Sequence, residues 1–170
     1  MLNLRVPGPT PLPPSVLDSL NGQMINHRGP EFAGLITELT ANLKTVFGTA
    51  HDVVTLTCSG TGGLEAVVTN TLSPGQRTVV ISVGVFGDRV AEIAEAYAAD
   101  VVRLRFEPGQ AANPEEVREA LAAEPDAEVV FVTHNETSTG VTNDLEALAG
   151  VIKGELDRTL VVDGISSIGA

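Results

Sequence analysis

Residues 128–140 read Glu128-Val-Val-Phe-Val-Thr-His-Asn-Glu-Thr-Ser-Thr-Gly140. The run from Glu128 to Thr133 is apolar, β-branched and of strand length. The seven residues after it are polar, small or glycine. A continuous apolar run, rather than an alternating one, marks a strand buried on both faces. Similar runs recur outward in both directions: Val53-Val-Thr-Leu-Thr57, Thr78-Val-Val-Ile-Ser-Val83, Val101 to Phe106, and Thr159-Leu-Val-Val162. Segments of helical period lie between them, over 63–72 and 86–99. A third helix opens at Asn113-Pro114, with Glu116 in its first turn. A fourth runs from Asn143 to about Glu155, with Asn143 and Glu146 arranged like a capping box. Strands alternating with helices predict an α/β fold: a mostly parallel sheet with helices on both faces.

The residues before this alternation differ. Residues 5–14 hold five prolines and one glycine, which excludes helix and central strand and reads as an extended arm. Leu35, Ile36, Leu39, Leu43 and Val46 then recur at helical spacing, predicting a helix over about 30–47 that stops at Gly48. The expected organisation is an arm over 1–30 and a domain from 31 to 170. No internal repeat or low-complexity segment is visible.

Composition excludes several classes of function. Ten Lys and Arg against 22 Asp and Glu give a net charge of −12. Nucleic-acid binding and anchoring on an anionic membrane both need a basic face, so neither is expected. The start of the chain has no basic stretch leading into an apolar run, and no run approaches the roughly 20 apolar residues of a membrane helix. Cys58 is the only cysteine. It can make no internal disulfide or cysteine zinc site, and a cytoplasmic setting follows as the expectation.

In open α/β sheets, ligands bind beyond the carboxyl ends of the strands. Four segments at such ends carry polar or ligand-like residues. Cys58-Ser-Gly-Thr-Gly-Gly63 stands before a helix; it reads as a phosphate cradle or as a plain glycine-rich turn. Phe86, between Gly84 and Gly87, could lie flat on a planar ligand or begin its helix's core face. In the polar run after Thr133, His134 reads as a hydrogen-bonded structural histidine or a catalyst, and Glu136 as solvated, capping or functional. No second His or Cys stands at metal-ligand spacing, so no metal site is expected. Asp163, after Leu160-Val-Val162, would be costly at the end of a buried strand unless paired. It could hold Mg²⁺, a ribose or a protonated ring nitrogen, or cap the next turn.

Taken in order, Ser59-Gly-Thr-Gly-Gly-Leu-Glu-Ala66, Gly84-Val-Phe-Gly-Asp-Arg89, His134-Asn-Glu-Thr-Ser-Thr-Gly140 and Val162-Asp-Gly-Ile-Ser-Ser167 resemble the class V pyridoxal-phosphate-dependent aminotransferases. The resemblance is to the alanine–glyoxylate, serine–glyoxylate and serine–pyruvate group. Pro7-Gly-Pro-Thr10 and His27-Arg-Gly-Pro-Glu-Phe32 resemble that group too, so the likeness spans about Val6 to Ala170. It implies the large domain of the fold-type I enzymes, followed in the family by a small C-terminal domain. It implies pyridoxal 5'-phosphate as cofactor, with its phosphate at Thr61, Gly62 and Gly63. Phe86 would stack on the ring, Thr137 would sit by the phenolic oxygen, and Asp163 would pair with the pyridinium nitrogen. Gly8 would take part in substrate binding. Gly63 stands where some members carry a side chain, and Thr137 where serine is common.

The resemblance also implies a Schiff-base lysine, roughly 25 residues beyond the Asp163 position. The chain's lysines are Lys44 and Lys153, and neither stands there. The arginine that grips the substrate carboxylate also belongs to the family's C-terminal part. The expectation is therefore a cofactor-binding half, inactive alone and completed by a C-terminal half as a second polypeptide or missing segment, within a homo- or hetero-oligomer. An excised fragment, or a remnant without turnover, would carry the same residues. With that half, the expected reaction moves an amino group between alanine or serine and a 2-oxo acid such as glyoxylate or pyruvate. A lyase or desulfurase of the same fold, or a flavodoxin-like phosphate-binding module, are the alternatives.

Overall fold

The computed structural model describes residues 4–169. The expectations for residues 1–3 and for Ala170 lie outside the described residues. The chain divides into two compact units, Met1–Val54 and Thr55–Ala170, each described by itself.

The first unit holds two helices, α1 (Pro14–Leu20) and α2 (Pro30–Phe47). The proline-rich segment up to Pro13 holds neither helix nor strand and bends over 6–9, with a cis peptide bond between Gly8 and Pro9. Pro14 then serves as the first residue of α1, where its missing N–H costs nothing. The sequence reading did not anticipate this helix. The predicted helix α2 forms with the expected bounds and ends at Gly48, whose φ of 59° is the left-handed conformation glycine adopts without strain. None of the residues of α1 or α2 is buried.

In the second unit the valine-rich runs form a sheet. Strands β1 (Arg77–Ser82), β2 (Asp100–Arg105), β3 (Val129–Thr133) and β6 (Thr159–Asp163) stand in the order β2-β1-β3-β6, and all neighbours are parallel. Helices α3 (Gly60–Thr71), α4 (Val85–Ala96), α5 (Pro114–Ala122) and α6 (Leu145–Ala149) cover it. A two-residue hairpin, β4 (Asn135–Glu136) with β5 (Val141–Thr142), follows β3.

The period of two in a strand divides the core cleanly. Val79, Ile81, Val130 and Val132 point to one face and pack with Val117 and Leu121 of α5, Leu148 of α6, and Val151 and Ile152 after it. Val80, Val129 and Phe131 point to the other and pack with Val68 of α3 and Val90, Ala91 and Ala94 of α4. Each fully buried valine, leucine or isoleucine contributes about 1.5–3 kcal/mol of transfer free energy. The expected parallel sheet with helices on both faces is what forms.

Three local expectations need correction. Val53–Thr57 is not a strand. A strand exists through its ladder, and no described strand pairs with this run; Val54 and Leu56 are exposed. The glycines after Ser59 do not precede a helix but form its first turn, with Ser59 as N-cap. Asn143 does not cap α6. Asp144 does, its carboxylate accepting from Ala147 N–H at 3.0 Å, and the helix passes after five residues into a π-helical turn over Gly150–Glu155. Asn143 is buried and ties two segments together. Its Oδ1 accepts from Ala112 N–H at 2.8 Å, and its Nδ2 donates to the Thr133 carbonyl at 2.8 Å.

These roles differ in energy. Asn143→Ala strands a buried donor and a buried acceptor, each costing about 1–3 kcal/mol. Asp144→Ala loses one exposed cap, worth about 1 kcal/mol. In urea unfolding of the two variants, Asn143→Ala is expected to lower the midpoint more; the reverse ranking would mean that Asn143 is the working cap.

Candidate functional site

The strand order reverses between β1 and β3, since β2 lies outside β1 and β6 lies outside β3. Loops leaving the carboxyl ends of two such strands diverge to opposite faces and leave a crevice there. Phe86 follows β1, Thr137 follows β3, and Asp163 ends β6. The structure brings these three together around one cleft, lined by Phe86, Asn135, Thr137, Asp163, Ile165 and Ser166.

Asp163 is buried, 9% exposed. Its Oδ1 accepts from Ile165 N–H at 3.0 Å, and no Lys, Arg or His pairs with it among the described residues. Its backbone carbonyl accepts from His134 N–H at 2.9 Å, which locks the ends of β3 and β6 together. Thr133 stands beside it in register, and its buried hydroxyl has no partner among the described residues. The carboxylate accepts one backbone N–H, meets no cation among the described residues and faces the cleft; a protonated ring nitrogen would fit it as donor and as counter-charge. Thr137 Oγ donates to Ser166 Oγ at 3.0 Å, so the hairpin reaches the turn that follows β6. His134 Nδ1 lies 2.9 Å from Ser167 Oγ, the hydrogen-bonded structural role.

Phe86 is the second residue of α4 and is 42% exposed, so it is not a core residue of its helix. Two close approaches seat it. At Gly87 a Cβ would lie 2.8 Å from Ser82 Cα, so only glycine lets the first turn of α4 rest on the end of β1. At Gly84 a Cβ would meet Glu136 Cγ at 2.6 Å. Glu136 itself is fully buried and accepts from Phe86 N–H at 3.0 Å and Gly87 N–H at 3.1 Å. Of the readings left open for this residue, the structure excludes a solvated one and shows a capping one.

At α3, Ser59 Oγ accepts from Gly62 N–H at 3.2 Å, and the Ser59 carbonyl accepts from Gly63 N–H at 3.0 Å. The N–H groups of Gly60 and Thr61 have no protein acceptor among the described residues, and Thr61 is exposed. Gly60 was not singled out from sequence, yet it carries one of these free donors. A Cβ there would lie 2.6 Å from the tip of the Ile165 side chain, Cδ1, so this helix start stands beside the turn after Asp163. The N-terminal ends of helices attract anions, and this one faces the same turn as the cleft. Gly8 belongs to the first unit, where it precedes a cis peptide bond to Pro9.

A wider depression, about 690 Å³, lies at the opposite edge of the sheet, around Arg77, Asp100 and Glu124. There the Glu124 carboxylate, and then Asp100, raise the guanidinium of Arg77 above its ordinary pKa. These are mutually paired charges, Arg77 and Glu124 half-buried and Asp100 exposed.

The architecture is thus that of α/β proteins whose ligands sit at the carboxyl edge of a parallel sheet. Comparison with known proteins specifies it further. The aminotransferase class-V family matches residues 3–170, and the chain belongs to that family. It is 42% identical over 98% of its length to a protein of Synechococcus named as the small subunit of a soluble hydrogenase, covering 44% of that protein. It is 37% identical over 99% of its length to the serine–glyoxylate aminotransferase of Methylorubrum extorquens, covering 43% of it. The crystal structure of an alanine–glyoxylate aminotransferase from Nostoc superposes with a TM-score of 0.91 at 32% identity, over 97% of this chain and 44% of that one. The chain therefore spans less than half the length of the relatives it matches. Its structural neighbours are fold-type I aminotransferases, a class that uses pyridoxal phosphate.

The glycines of the site are expected to respond in opposite directions. Gly87→Ala forces a methyl into the backbone of β1 and should destabilise by about 1–3 kcal/mol. Gly63→Ala, helical and with nothing within 4 Å of its Cβ, should stabilise by about 0.5–1 kcal/mol. Thermal unfolding of both variants checks this, and a neutral Gly87→Ala would contradict the close approach.

Proposed function

We propose that this chain is the cofactor-binding part of a pyridoxal 5'-phosphate-dependent aminotransferase. The reaction moves an amino group between a small amino acid, alanine or serine, and a 2-oxo acid such as glyoxylate or pyruvate. The observation that carries this reading is Asp163, a buried carboxylate without a cationic partner among the described residues, facing a cleft with Phe86 and Thr137. Relatives named for serine–glyoxylate, aspartate–glyoxylate and alanine–glyoxylate transfer support a small amino donor with glyoxylate as acceptor. The relatives named as hydrogenase subunits match over the same stretch of this chain as those aminotransferases, and within that stretch a single cysteine gives no thiolate cluster.

When bound, pyridoxal phosphate supplies a sink for the electrons left as a substrate loses its α-proton. The residues of this chain then have separate tasks. Thr61 holds the phosphate through its N–H and hydroxyl, beside the open N–H of Gly60; Gly62 and Gly63 belong to the same first turn, but their N–H groups donate to Ser59. Phe86 covers one face of the ring and excludes water from it. Thr137 offers its hydroxyl to the phenolic oxygen. Asp163 keeps the proton on the ring nitrogen, because a nearby negative charge favours the protonated form. Gly8 takes part in substrate binding. Residues 1–30 serve as the arm and 31–170 as the partial cofactor domain of a cytoplasmic, oligomeric enzyme.

Turnover needs a lysine from a C-terminal half. Lys153 lies in the π-helical turn, on the face of the sheet away from Phe86. Lys44 lies in α2 of the first unit, 3.6 Å from Asp52. The 170-residue polypeptide by itself is therefore expected to show no transamination, and co-expression with the C-terminal half of a relative to restore it. Turnover by the pure polypeptide, abolished by Lys44→Ala or Lys153→Ala, would overturn this part of the reading.

Asp163→Asn tests the site itself in the completed enzyme. It keeps size and hydrogen bonding but removes the charge, so cofactor should still bind through its phosphate. Turnover should fall by about two or more orders of magnitude, each tenfold being about 1.4 kcal/mol of barrier. Alanine–glyoxylate and serine–glyoxylate assays, with bound cofactor followed by absorbance, make the comparison. Equal turnover in the two enzymes would make Asp163 a structural cap.

A further inference from the structure

The start of α4 has no cap of its own. Its N-cap residue is Gly84, which carries no side chain, and the first three N–H groups of the helix belong to Val85, Phe86 and Gly87. All three are satisfied from the β4–β5 hairpin, some 50 residues later in the chain. Ser138 Oγ accepts from Val85 N–H at 3.1 Å. Glu136 Oε2 accepts from Phe86 N–H at 3.0 Å and from Gly87 N–H at 3.1 Å. The other oxygen, Oε1, accepts from Ser138 N–H at 3.2 Å and from Ser138 Oγ at 2.6 Å. Thr139 Oγ donates to the Val83 carbonyl at 3.3 Å and closes the junction from the strand side.

Glu136 is 0% exposed and has no cationic side chain in contact among the described residues. Its charge is carried instead by three backbone N–H groups, one hydroxyl and the positive end of α4, an arrangement that stabilises a buried carboxylate. The approach is possible only because residue 84 is glycine, since a Cβ there would also fall 2.7 Å from Glu136 Cδ and from Ser138 Oγ. Glu136 does not line the cleft. Its neighbour Thr137 does, and so does Phe86, whose N–H it holds.

We infer that Glu136 is a positioning residue that fixes the Phe86 ring over the cofactor cleft by tying the start of α4 to the hairpin that bears Thr137. The inference rests on the cofactor reading above and adds a residue to it. Glu136 touches no ligand. It acts by holding the first turn of α4 at one height, so that the exposed ring of Phe86 stays at stacking distance from a planar ligand. Glutamine keeps the size of Glu136 but has one acceptor oxygen in place of two, so its NH₂ must face either the α4 donors or Ser138 N–H.

The test uses the completed enzyme, freed of cofactor. Equilibrium binding of pyridoxamine 5'-phosphate, which has no aldehyde and reads only non-covalent contacts, is measured alongside binding of inorganic phosphate. Four proteins form the set: wild type, Glu136→Gln, Phe86→Ala and the double variant. Glu136→Gln is expected to weaken pyridoxamine phosphate about tenfold, the scale of one hydrogen bond to a charged group, and to leave inorganic phosphate unchanged. In the Phe86→Ala background the same substitution should change pyridoxamine phosphate less than about twofold, because the ring it positions is gone. Equal weakening of both ligands, the same loss in both backgrounds, or no loss at all would each overturn the inference and leave Glu136 as general support for the fold. A wild-type enzyme that does not bind pyridoxamine phosphate would instead sink the cofactor reading itself. Should Glu136→Gln fail to fold, Ser138→Ala removes the hydroxyl bridging Glu136 and Val85 with less disruption, and the same selective loss is expected from it.

Discussion

Burial of both faces of β1 and β3 is the constraint from which the rest of the structure follows. Every residue from Thr78 to Ser82 and from Val129 to Thr133 is buried, under α3 and α4 on one side and α5 and α6 on the other. Such strands have no room for exposed polar groups along their length. Polar chemistry is therefore confined to their ends, and at the carboxyl ends the reversed strand order opens a crevice between β1 and β3. The cleft, the N–H groups of Gly60 and Thr61 that lack acceptors among the described residues, and the hairpin after β3 all occupy that edge.

Two buried carboxylates at this edge are solved differently. Glu136 is saturated by donors from its own chain, which makes it structural in contact and lets it fix a helix start. Asp163 accepts one backbone N–H and stands beside a threonine hydroxyl that is unpartnered among the described residues. The second Asp163 oxygen has no protein donor among the described residues, and the carboxylate lines the cleft. That contrast is the basis for proposing Glu136 as a support of the site and Asp163 as a residue that serves it. In the sequence the two look alike, as acids beside polar loops.

The outer edge of β6 has no strand partner among the described residues, and Val162, Ile165 and Ile168 expose apolar side chains near it. The run Val53–Thr57 likewise has strand composition without a ladder. Backbone donors and acceptors left open along a strand favour pairing with a further strand. Relatives more than twice as long as this chain have the residues to provide one.

Local signals were legible from sequence wherever their physics is local. The α2 helix and its Gly48 stop, the Asn113-Pro114 helix start, and four of the five strand runs follow from side-chain period and from capping within a few residues. Three of the four clusters were legible for a related reason, since the carboxyl ends of parallel strands share one edge; the Cys58–Gly63 cluster follows no strand and comes to that edge where Gly60 meets Ile165. Other features depended on partners far away in the chain. Val53–Thr57 has the composition of a strand, but no ladder. Asn143 has the look of a cap, but Ala112 and Thr133 claim its side chain. Glu136 is one acid among 22, and only the fold carries it beneath Gly84 to meet Phe86. Periodicity and caps are written in neighbouring residues, so the sequence alone determined the layers and the edge that bears the site. Which buried polar groups find partners is settled by contacts between residues roughly 30 to 50 positions apart, and those exist only once the sheet has closed.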